Sequence, residues 1–477
     1  MKYFYFIILI HLQSMSYAQK SIVDFGAVSD GKTLNTTAIQ SAIDNCFAKG
    51  GGKVIVPEGT FLTGTIVLKT GVNLHFTEGA ILLGSSRRED YQKNDWFALI
   101  LAKNQKNIKI TGKGVIDGQG KLLAEDVTRL WKLGVLKNVK PHNRPDENHR
   151  PQIIEMSDCQ GITIENVTIK NAACWVQTYH NCRNLTMNKV RVESTAYWNN
   201  DGIDIVDCQK VRIKNCFINT ADDGICLKSH DVKKRCEDIK IARCTIRSSA
   251  SAFKIGTASY GGFKRIRVKN LYIYDTYRSA IALECVDGGV LEDVKIKNIT
   301  AKNTGNALFI RLGNRYGNNT GVVKNIFIKH LTAEIPRNKP DKGYDTEGPP
   351  ADSMSNLLPS SIVGLPNNLI KNVHLKHINI TFYGGGKPLN GGQNTVQNLG
   401  QNLGQNTPPK VPELPQAYPE FSMFGELPAW GFYVRHTEGV HFTHIKLKLI
   451  DKDYRKPIVL EDAAKTVLRK VATELAP

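Results

Sequence analysis

A short hydrophobic pattern recurs along the middle of this 477-residue chain and limits the folds that it can adopt. Apolar residues stand at the first, third, sixth and eighth positions of each copy, as in Ile162, Ile164, Val167 and Ile169. Copies begin at residues 162, 185, 211, 239, 266, 294, 326, 373 and 440. Alternation with a period of two is typical of β-strands, and the gap of two residues indicates a bend between two short strands.

Units of this size cannot bury an apolar face alone, so they must stack on one another. Helical repeats are excluded, because short runs rich in Ile and Val cannot form the paired helices that such repeats need. The sequence therefore predicts an all-β fold, a parallel β-helix (solenoid), as a single domain over residues 19–477.

The two ends of the solenoid and its late part depart from the repeat. Helical spacing of apolar residues over 35–48 predicts an N-terminal helix, which we expect to cap open strand edges. Wider repeat spacing and a polar, low-complexity composition predict insertions near 335–366 and 381–435. Residues 462–475 also have helical spacing, which predicts a terminal cap or, alternatively, a helix that binds a partner.

The first residues are typical of an export signal. Lys2 precedes an apolar run over 4–10, and Ser16 and Ala18 are small residues of the kind that a signal peptidase accepts. We expect residues 1–18 to be a signal peptide cleaved after Ala18, with export to the periplasm or the cell exterior. No later stretch has the length that a transmembrane helix needs, so no membrane span is predicted.

Ten cysteines and a strongly positive charge add two expectations. Most of the cysteines fall within strand-like runs without the CxxC spacing of a zinc site, which favours small apolar fillers and predicts no metal or other cofactor. A formal net charge of +19 favours polyanions. For an exported protein we expect an acidic or sulfated polysaccharide rather than nucleic acid, although the lysines could simply solubilise the surface.

Two Asp-Gly-Ile sequences, at 201–203 and 223–225, predict a cluster of acids. Alignment of the coils by their inward residues places Ile203 over Ile225, and Asp201 over Asp223, at the strand spacing of about 4.8 Å. Close carboxylates suit inverting glycoside hydrolysis, in which one carboxyl donates a proton and another, roughly 6.5 to 9.5 Å away, activates water. The alternative is that Asp-Gly only marks turns.

The chain resembles the polygalacturonases of glycoside hydrolase family 28, which are right-handed parallel β-helices. The resemblance runs from residue 22 to about residue 315 and is most specific in N-N-D-G-I-D at 199–204 and A-D-D-G at 221–224. It implies that Asp222 is the general acid and that Asp201 and Asp223 hold and activate water. The family's Gly-His-Gly and Arg-Ile-Lys signatures are absent, with Ser251 at the histidine position and 282–284 reading Ala-Leu-Glu.

Six further residues are candidates for substrate binding: Asn200, Trp198, Lys254, Glu284, Lys228 and Arg311. Trp198 adjoins the acids and could stack on a sugar, as could Trp175, or these rings could cover the ends of coils. Lys254 could bind an anionic substrate or could be a solvated surface lysine. Glu284 aligns with Lys228 and Arg311, which favours either a specificity role or an ion-pair ladder.

The leading hypothesis is an exported, inverting glycoside hydrolase. We expect it to act on an acidic or sulfated polysaccharide, pectin-like or related, or on its oligosaccharides, with late insertions that could make it exo-acting. One alternative is a polysaccharide lyase on the same scaffold. Another is a carbohydrate-binding solenoid without catalysis.

Overall fold

The chain folds into a parallel β-helix, as predicted. The computed structural model describes residues 18–137, 144–317, 319–341, 343–344, 358–386 and 410–475. Within these ranges, every pairing between named strands is parallel except that of Gln92–Lys93 with Phe97–Lys103. The predicted signal peptide, apart from Ala18, and the low-complexity run over 391–409 lie outside the described residues.

The strands of the first half are short. They are β1 (Ala18–Ser21), β2 (Asp30–Leu34), β3 (Gly52–Val56), β4 (Gly59–Thr63), β5 (Ile66–Val67), β6 (Val72–Phe76), β7 (Ala80–Gly84), β8 (Gln92–Lys93), β9 (Phe97–Lys103), β10 (Lys109–Gly112), β11 (Val115–Asp117), β12 (Gln152–Ser157), β13 (Gln160–Glu165), β14 (Thr168–Lys170), β15 (Gln177–His180), β16 (Arg183–Asn188) and β17 (Arg191–Ser194).

Many strands of the second half are longer and bend from one face of the solenoid to the next. They are β18 (Ile203–Val206), β19 (Gln209–Lys214), β20 (Phe217–Thr220), β21 (Ile225–Ser229), β22 (Cys236–Ala242), β23 (Thr245–Ser248), β24 (Phe253–Ser259), β25 (Gly262–Cys285), β26 (Val290–Leu312), β27 (Val322–Ile335), β28 (Ser360–Val363), β29 (Ile370–Gly384), β30 (Ala429–Asp451), β31 (Lys456–Ala464) and β32 (Val467–Leu475).

Each middle coil supplies one strand to each of three faces. The front face contains β15, β18, β21 and β24. The next face, which we call the basic face, contains β16, β19 and β22, and the third contains β17, β20 and β23. The long strand β25 pairs with β22, β23 and β24, so one strand runs through all three faces.

The interior is built from columns of apolar side chains in the predicted register. Ile203 lies over Ile225, followed by Phe253, Ile281 and Leu308 on successive coils, all of them buried. Burial of each such side chain contributes roughly 1.5 to 3 kcal/mol, and a shift by one residue would turn the column outward. All ten cysteines are buried and unbridged, which confirms that they serve as apolar fillers.

Two helices accompany the strands in the described residues. Helix α1 (Thr36–Ala48) confirms the N-terminal helix and buries Ile39, Ala42, Ile43 and Cys46 in the core, while its role as a cap stays a prediction. Helix α2 (Gly120–Lys132) was not anticipated. Neither helix is long and apolar enough to cross a membrane. Three short 3-10 turns cover Ile22–Phe25, Arg88–Asp90 and Glu147–His149.

The prediction of a C-terminal helix over 462–475 is wrong. These residues belong to β31 and β32, which pair with β30. The open edge of β30 supplies hydrogen-bond partners for a further coil, and this tertiary pairing outweighs the local helical spacing. The segments predicted as insertions also contribute strands to the solenoid, namely β28 and the first residues of β30.

Candidate active site

Three acids lie together where two neighbouring coils enter the front face. Asp201 directly precedes β18, and Asp222 and Asp223 precede β21. The Gly202 amide donates to the Asp223 carbonyl across 2.8 Å, which locks one coil over the other. One carboxylate oxygen from each of the three acids lies within 4.8 Å of the other two. The predicted cluster is therefore present.

The glycines of the two Asp-Gly sequences are required for close packing of the coils rather than for turns. A Cβ on Gly202 would lie 2.6 Å from the Gly224 oxygen, and a Cβ on Gly224 would lie 2.5 Å from an Ile246 methyl group. Neither distance is possible without movement of a neighbouring coil. Glycine thus lets successive coils, and the acids that precede them, approach one another.

The acids are closer than the roughly 6.5 to 9.5 Å that is typical of inverting enzymes. The reason is the coil spacing, because the acids leave neighbouring strands at nearly the same level and strands in a sheet lie about 4.8 Å apart. The three oxygens could together bind a metal ion, but Lys228 and Lys254 already each contact one of the acids. Lysine ammonium groups thus supply the neutralising charge.

Asp223 is surrounded by groups that stabilise its anion. Its Oδ2 lies 3.0 Å from Lys254 Nζ, and its Oδ1 accepts a hydrogen bond of 3.0 Å from the Ser251 amide. Burial acts to raise the pKa of Asp223, but Lys254, Arg278 and the Ser251 amide outweigh it and lower the pKa. Asp223 is therefore ionised.

Asp222 differs from its two neighbours in exposure and charge. It is partly exposed, whereas Asp201 and Asp223 are buried, and among the described residues it forms no ion pair within 4.0 Å. Its Oδ1 accepts a hydrogen bond of 2.9 Å from the Asp223 amide. Burial, followed by the negative charge of Asp223, raises the pKa of Asp222. Asp222 is thus the acid that favours the protonated form and reaches the open cleft.

Asp201 shares one lysine with a fourth acid, Asp204. Lys228 Nζ lies 2.8 Å from Asp201 Oδ2 and also donates to Asp204 Oδ1. Burial is the main cause that raises the pKa of Asp201, opposed by Lys228 and reinforced by the nearby acids. Burial likewise raises the pKa of Asp204 to about 6. Lys228 therefore binds the acids rather than the substrate directly.

Glu284 and Arg311 do not form the predicted ion-pair ladder with Lys228. Glu284 is 2% exposed and lies 3.8 Å from Lys254, while its Oε2 accepts a hydrogen bond of 3.1 Å from Thr257. Burial raises the pKa of Glu284 to about 7. Arg311 is paired in register with Glu284 but donates instead to main-chain oxygens, including that of Glu413 at 2.7 Å. Its predicted contact with substrate is wrong, because it is 1% exposed.

Lys254 is not a solvated surface lysine, which corrects one of the two interpretations of this residue. It is 3% exposed and lies between Asp223 and Glu284. Burial acts to lower the pKa of Lys254, but the two acids outweigh it and raise the pKa. Lys254 is therefore a charged group that sets the ionisation of the acid cluster.

Asn200 was predicted to bind substrate, but it lies entirely within the protein. Its Oδ1 accepts hydrogen bonds from Ser194 Oγ and from the amides of Ala196 and Tyr197. Its Nδ2 donates to the carbonyls of Ala172 and Cys174. With no exposed surface, Asn200 positions the loop that carries Asp201 and does not contact substrate.

Comparison with known proteins shows which family the region around this site is similar to. The family model for glycosyl hydrolases family 28 matches residues 46–277, a range that contains all three acids. Over this range the chain is similar to the glycosyl hydrolases of family 28.

Two relatives illustrate how far the similarity extends. The chain is 28% identical over 332 residues to a probable polygalacturonase of Vitis vinifera, covering 65% of this chain and 60% of the relative. It is 29% identical over 250 residues to an exo-poly-alpha-D-galacturonosidase of Dickeya chrysanthemi, covering 43% of this chain and 41% of the relative. The chain thus spans less than two thirds of the length of both.

A solved structure has the same fold. The chain superposes on a hyperthermoactive exopolygalacturonase from Thermotoga maritima with a TM-score of 0.60 at 24% identity, covering 76% of this chain and 87% of that one. This likeness confirms the right-handed parallel β-helix.

Two of the predicted aromatic side chains contact cations near the acid cluster. Trp198 is partly exposed, and Arg144 lies 4.4 Å from its ring centre. The ring centre of Trp175 lies 3.7 Å from Lys228 Nζ. The same ring stacks on Trp96 with 5.4 Å between ring centres. Trp175 therefore covers the lysine that holds Asp201, while a face of Trp198 already contacts a cation.

Sequence reasoning missed Arg278 and the late segment that meets it. The charge of Arg278 helps to lower the pKa of Asp223 and opposes the rise in the pKa of Asp222, and its Nε lies 3.5 Å from Glu420 Oε2. Lys254 Nζ donates a hydrogen bond of 3.3 Å to the Tyr418 hydroxyl. Asp204 was visible within the N-N-D-G-I-D motif, whereas no pattern connects Arg278 with residues more than a hundred positions later.

Proposed function

We propose that this protein is an exported, inverting hydrolase of glycosidic bonds in an acidic or sulfated polysaccharide or its oligosaccharides. The observation that carries the proposal is the unequal environment of three carboxyl groups whose oxygens lie within 4.8 Å. A lowered pKa at Asp223 and a raised pKa at Asp222 provide a base and an acid side by side.

In the proposed reaction Asp222 donates its proton to the leaving glycosidic oxygen. Asp223 accepts a proton from a water molecule, and Asp201 orients that water through its free oxygen. The water attacks the anomeric carbon as the bond to the leaving oxygen breaks, so the configuration inverts. Direct attack by Asp223 on the anomeric carbon would instead retain the configuration.

The proposed preference for an anionic substrate rests on Arg278. Its side chain is 21% exposed, and its charge acts on both Asp222 and Asp223. The family's Arg-Ile-Lys signature is absent here, and Ala282, at one of its positions, is buried. Arg278 offers the planar donor set that binds carboxylate or sulfate groups, and its side chain pairs with Glu420.

We further propose that the enzyme acts from a chain end. Residues from two late segments contact the coils beside the acids: Asp341 accepts a hydrogen bond of 2.9 Å from Ser249, and Tyr418 contacts Lys254. Such segments wall one side of the cleft and so limit how far a polymer can extend. The Dickeya chrysanthemi and Thermotoga maritima proteins both carry names of exo-acting enzymes, which supports this part of the proposal.

The test is a panel of polysaccharides incubated with the purified protein and with its Asp222→Asn variant. Polygalacturonate, rhamnogalacturonan and sulfated algal galactans are suitable members. New reducing ends from one member, absent with the variant, support the proposal, and release of only one small product supports exo action. Products that absorb as unsaturated uronates would show a lyase and overturn it. Binding without any cleavage would favour the non-catalytic solenoid.

A further inference from the structure

The basic face carries three columns of charged side chains, in which residues of successive coils lie directly over one another. One column, which we call the alternating column, mixes acids and lysines: Glu237, Lys264, Glu292, Lys324, Lys371 and Glu438. Its members form ion pairs, such as Lys264 with Glu292 at 2.6 Å and Lys371 with Glu438 at 3.6 Å. This column neutralises its own charge.

Five residues further along each of these strands, the pattern is entirely different. Four exposed lysines on consecutive coils form what we call the lysine column: Lys269, Lys297, Lys329 and Lys376. Within the described ranges, none of the four has a carboxylate within 4.0 Å of its ammonium group. A third column, which we call the cationic column, lies between these two and begins two coils before the lysine column. Its members are Arg212, Lys240, Arg267 and Lys295.

Like charges placed directly opposite one another in a sheet are destabilising. The alternating column shows that this same sheet can alternate its charges from coil to coil, so the lysine column is not a necessity of the fold. A cost of this kind is offset when a polyanion binds and takes the place of the missing acids. The line of charges, repeated at a strand spacing of about 4.8 Å, suits a linear polymer with regularly spaced anionic groups.

We propose that the lysine column, with the cationic column beside it, binds an acidic polysaccharide outside the cleft. The choice of polysaccharide rests on the proposed function, since such a chain would also be the substrate. Within the described residues the basic face consists of strands, with no helix that could enter a nucleic-acid groove, and groove contacts are what sequence-reading proteins use. A polymer held here would be retained near the acids, which raises its effective concentration at the cleft.

The test compares two triple variants, both built on Asp222→Asn so that the polymer stays intact. One variant, K297Q/K329Q/K376Q, removes three members of the lysine column. The matched control, K264Q/K324Q/K371Q, removes three lysines of the alternating column, two of them from the same strands, β27 and β29, and so has the same net charge. Affinity electrophoresis in gels that contain polygalacturonate measures binding, and gels with a sulfated galactan repeat the measurement.

We expect the first variant to bind polygalacturonate or the galactan about tenfold more weakly, and the control to change by less than about twofold. The slope of log affinity against log salt should become shallower by about two in the first variant only, since three counterion-releasing contacts are lost. Equal weakening in both variants would overturn the proposal, because net charge alone would then explain binding. Tighter binding of double-stranded DNA than of either polysaccharide would also overturn it.

Failure of the lysine-column proposal can be distinguished from failure of the proposed hydrolase function. With Asp222 restored, both triple variants should hydrolyse a short oligosaccharide at the wild-type rate, because none of the replaced lysines lies at the acid cluster. Loss of polymer binding with oligosaccharide hydrolysis intact supports the lysine column as a second site. Hydrolysis by the wild-type protein without any difference between the variants rejects the column but leaves the enzyme assignment standing.

Discussion

Lys254 and Asp223 form a buried ion pair, with 3.0 Å between Nζ and Oδ2 and less than 5% of either residue exposed. The pair couples ionisation of the proposed base to a side chain on the following coil. Glu284, whose pKa is raised to about 7, lies 3.8 Å from the same ammonium group. Lys254 thus lies close to one carboxyl group on the coil before its own and to another on the coil after it.

Replacement of Lys254 by Met should shift the pH profile of hydrolysis. The lysine lowers the pKa of Asp223, so its removal raises that pKa, and the acidic limb of kcat/KM against pH should move to higher pH. Removal of one partner from a buried pair should also destabilise the fold by roughly 3 to 5 kcal/mol. Lys254→Arg, which keeps the charge, is the control and should hold the limb close to its original position. An unchanged acidic limb in folded Lys254→Met would contradict the assigned role.

Asp222→Asn should abolish most turnover while substrate binding persists. Loss of a general acid costs roughly 10²- to 10⁴-fold in rate. Because burial and Asp223 raise the pKa of Asp222, activity of the wild-type enzyme should fall as the pH rises through that value and the proton is lost. Steady-state rates on the substrate identified by the panel test both points.

The control for Asp222→Asn is Asp158→Asn. Asp158 is exposed on the same solenoid at a φ of 55°, a conformation that Asn also tolerates. This variant should keep wild-type turnover and stability. If Asp222→Asn lost no more activity than Asp158→Asn, Asp222 would not be the acid.

Asn200→Ala should lower the free energy of unfolding by about 3 kcal/mol or more. The substitution removes the acceptor of the Ser194 hydroxyl and a donor to the Ala172 carbonyl, among other buried groups, and each unsatisfied group costs about 1 to 3 kcal/mol. Urea unfolding measures the loss, with the partly exposed Thr195→Ala as control. A stable Asn200→Ala protein with a raised KM would restore the original prediction that Asn200 binds substrate.

Three histidines stack on consecutive coils beside the lysine column and should make stability depend on pH. His330, His377 and His444 lie 4.8 and 4.7 Å apart between ring centres. Burial, followed by His330, His444 and the nearby lysines Lys376 and Lys329, lowers the pKa of His377. The unfolded chain, in which His has a pKa of about 6.5, therefore takes up protons first, and stability falls as the pH drops through that value.

His377→Asn should reduce this loss of stability in acid, because Asn accepts the same left-handed backbone, as at Asn298 in this turn. The thermal midpoint measured between about pH 5 and 8 provides the test. His180→Asn serves as a contrast of opposite sign. Asp207 is the main group that raises the pKa of His180, so His180 stabilises the folded chain at low pH, and its removal should increase the loss in acid. Identical pH dependence in His377→Asn and wild type would exclude the stacked histidines as its source.

The sequence predicted the coils and the acid cluster because both follow from local periodicity. The alternation of Ile203 and Ile205 set the register, and the register alone brought Asp201 over Asp223. Burial of Lys254 and Asn200 was not predictable in this way, since it depends on which late segments and turns cover an outward position. The contact between Lys254 and Tyr418 joins residues 164 positions apart.

The C-terminal strands show that a local pattern can also predict the wrong element. Their spacing is helical over 462–475, yet the edge of β30 determines their conformation by pairing with them. Local patterns therefore predicted elements that repeat, and failed where an element has only one neighbouring coil to define it.

The central claim is that water held by Asp201 and Asp223 attacks the anomeric carbon while Asp222 protonates the leaving oxygen. Proton NMR of the first product, recorded before mutarotation on the substrate from the panel, measures this directly. The account predicts a product whose anomeric configuration is opposite to that of the bond cleaved. Retention of configuration would show direct attack by a carboxylate on the sugar and would contradict it.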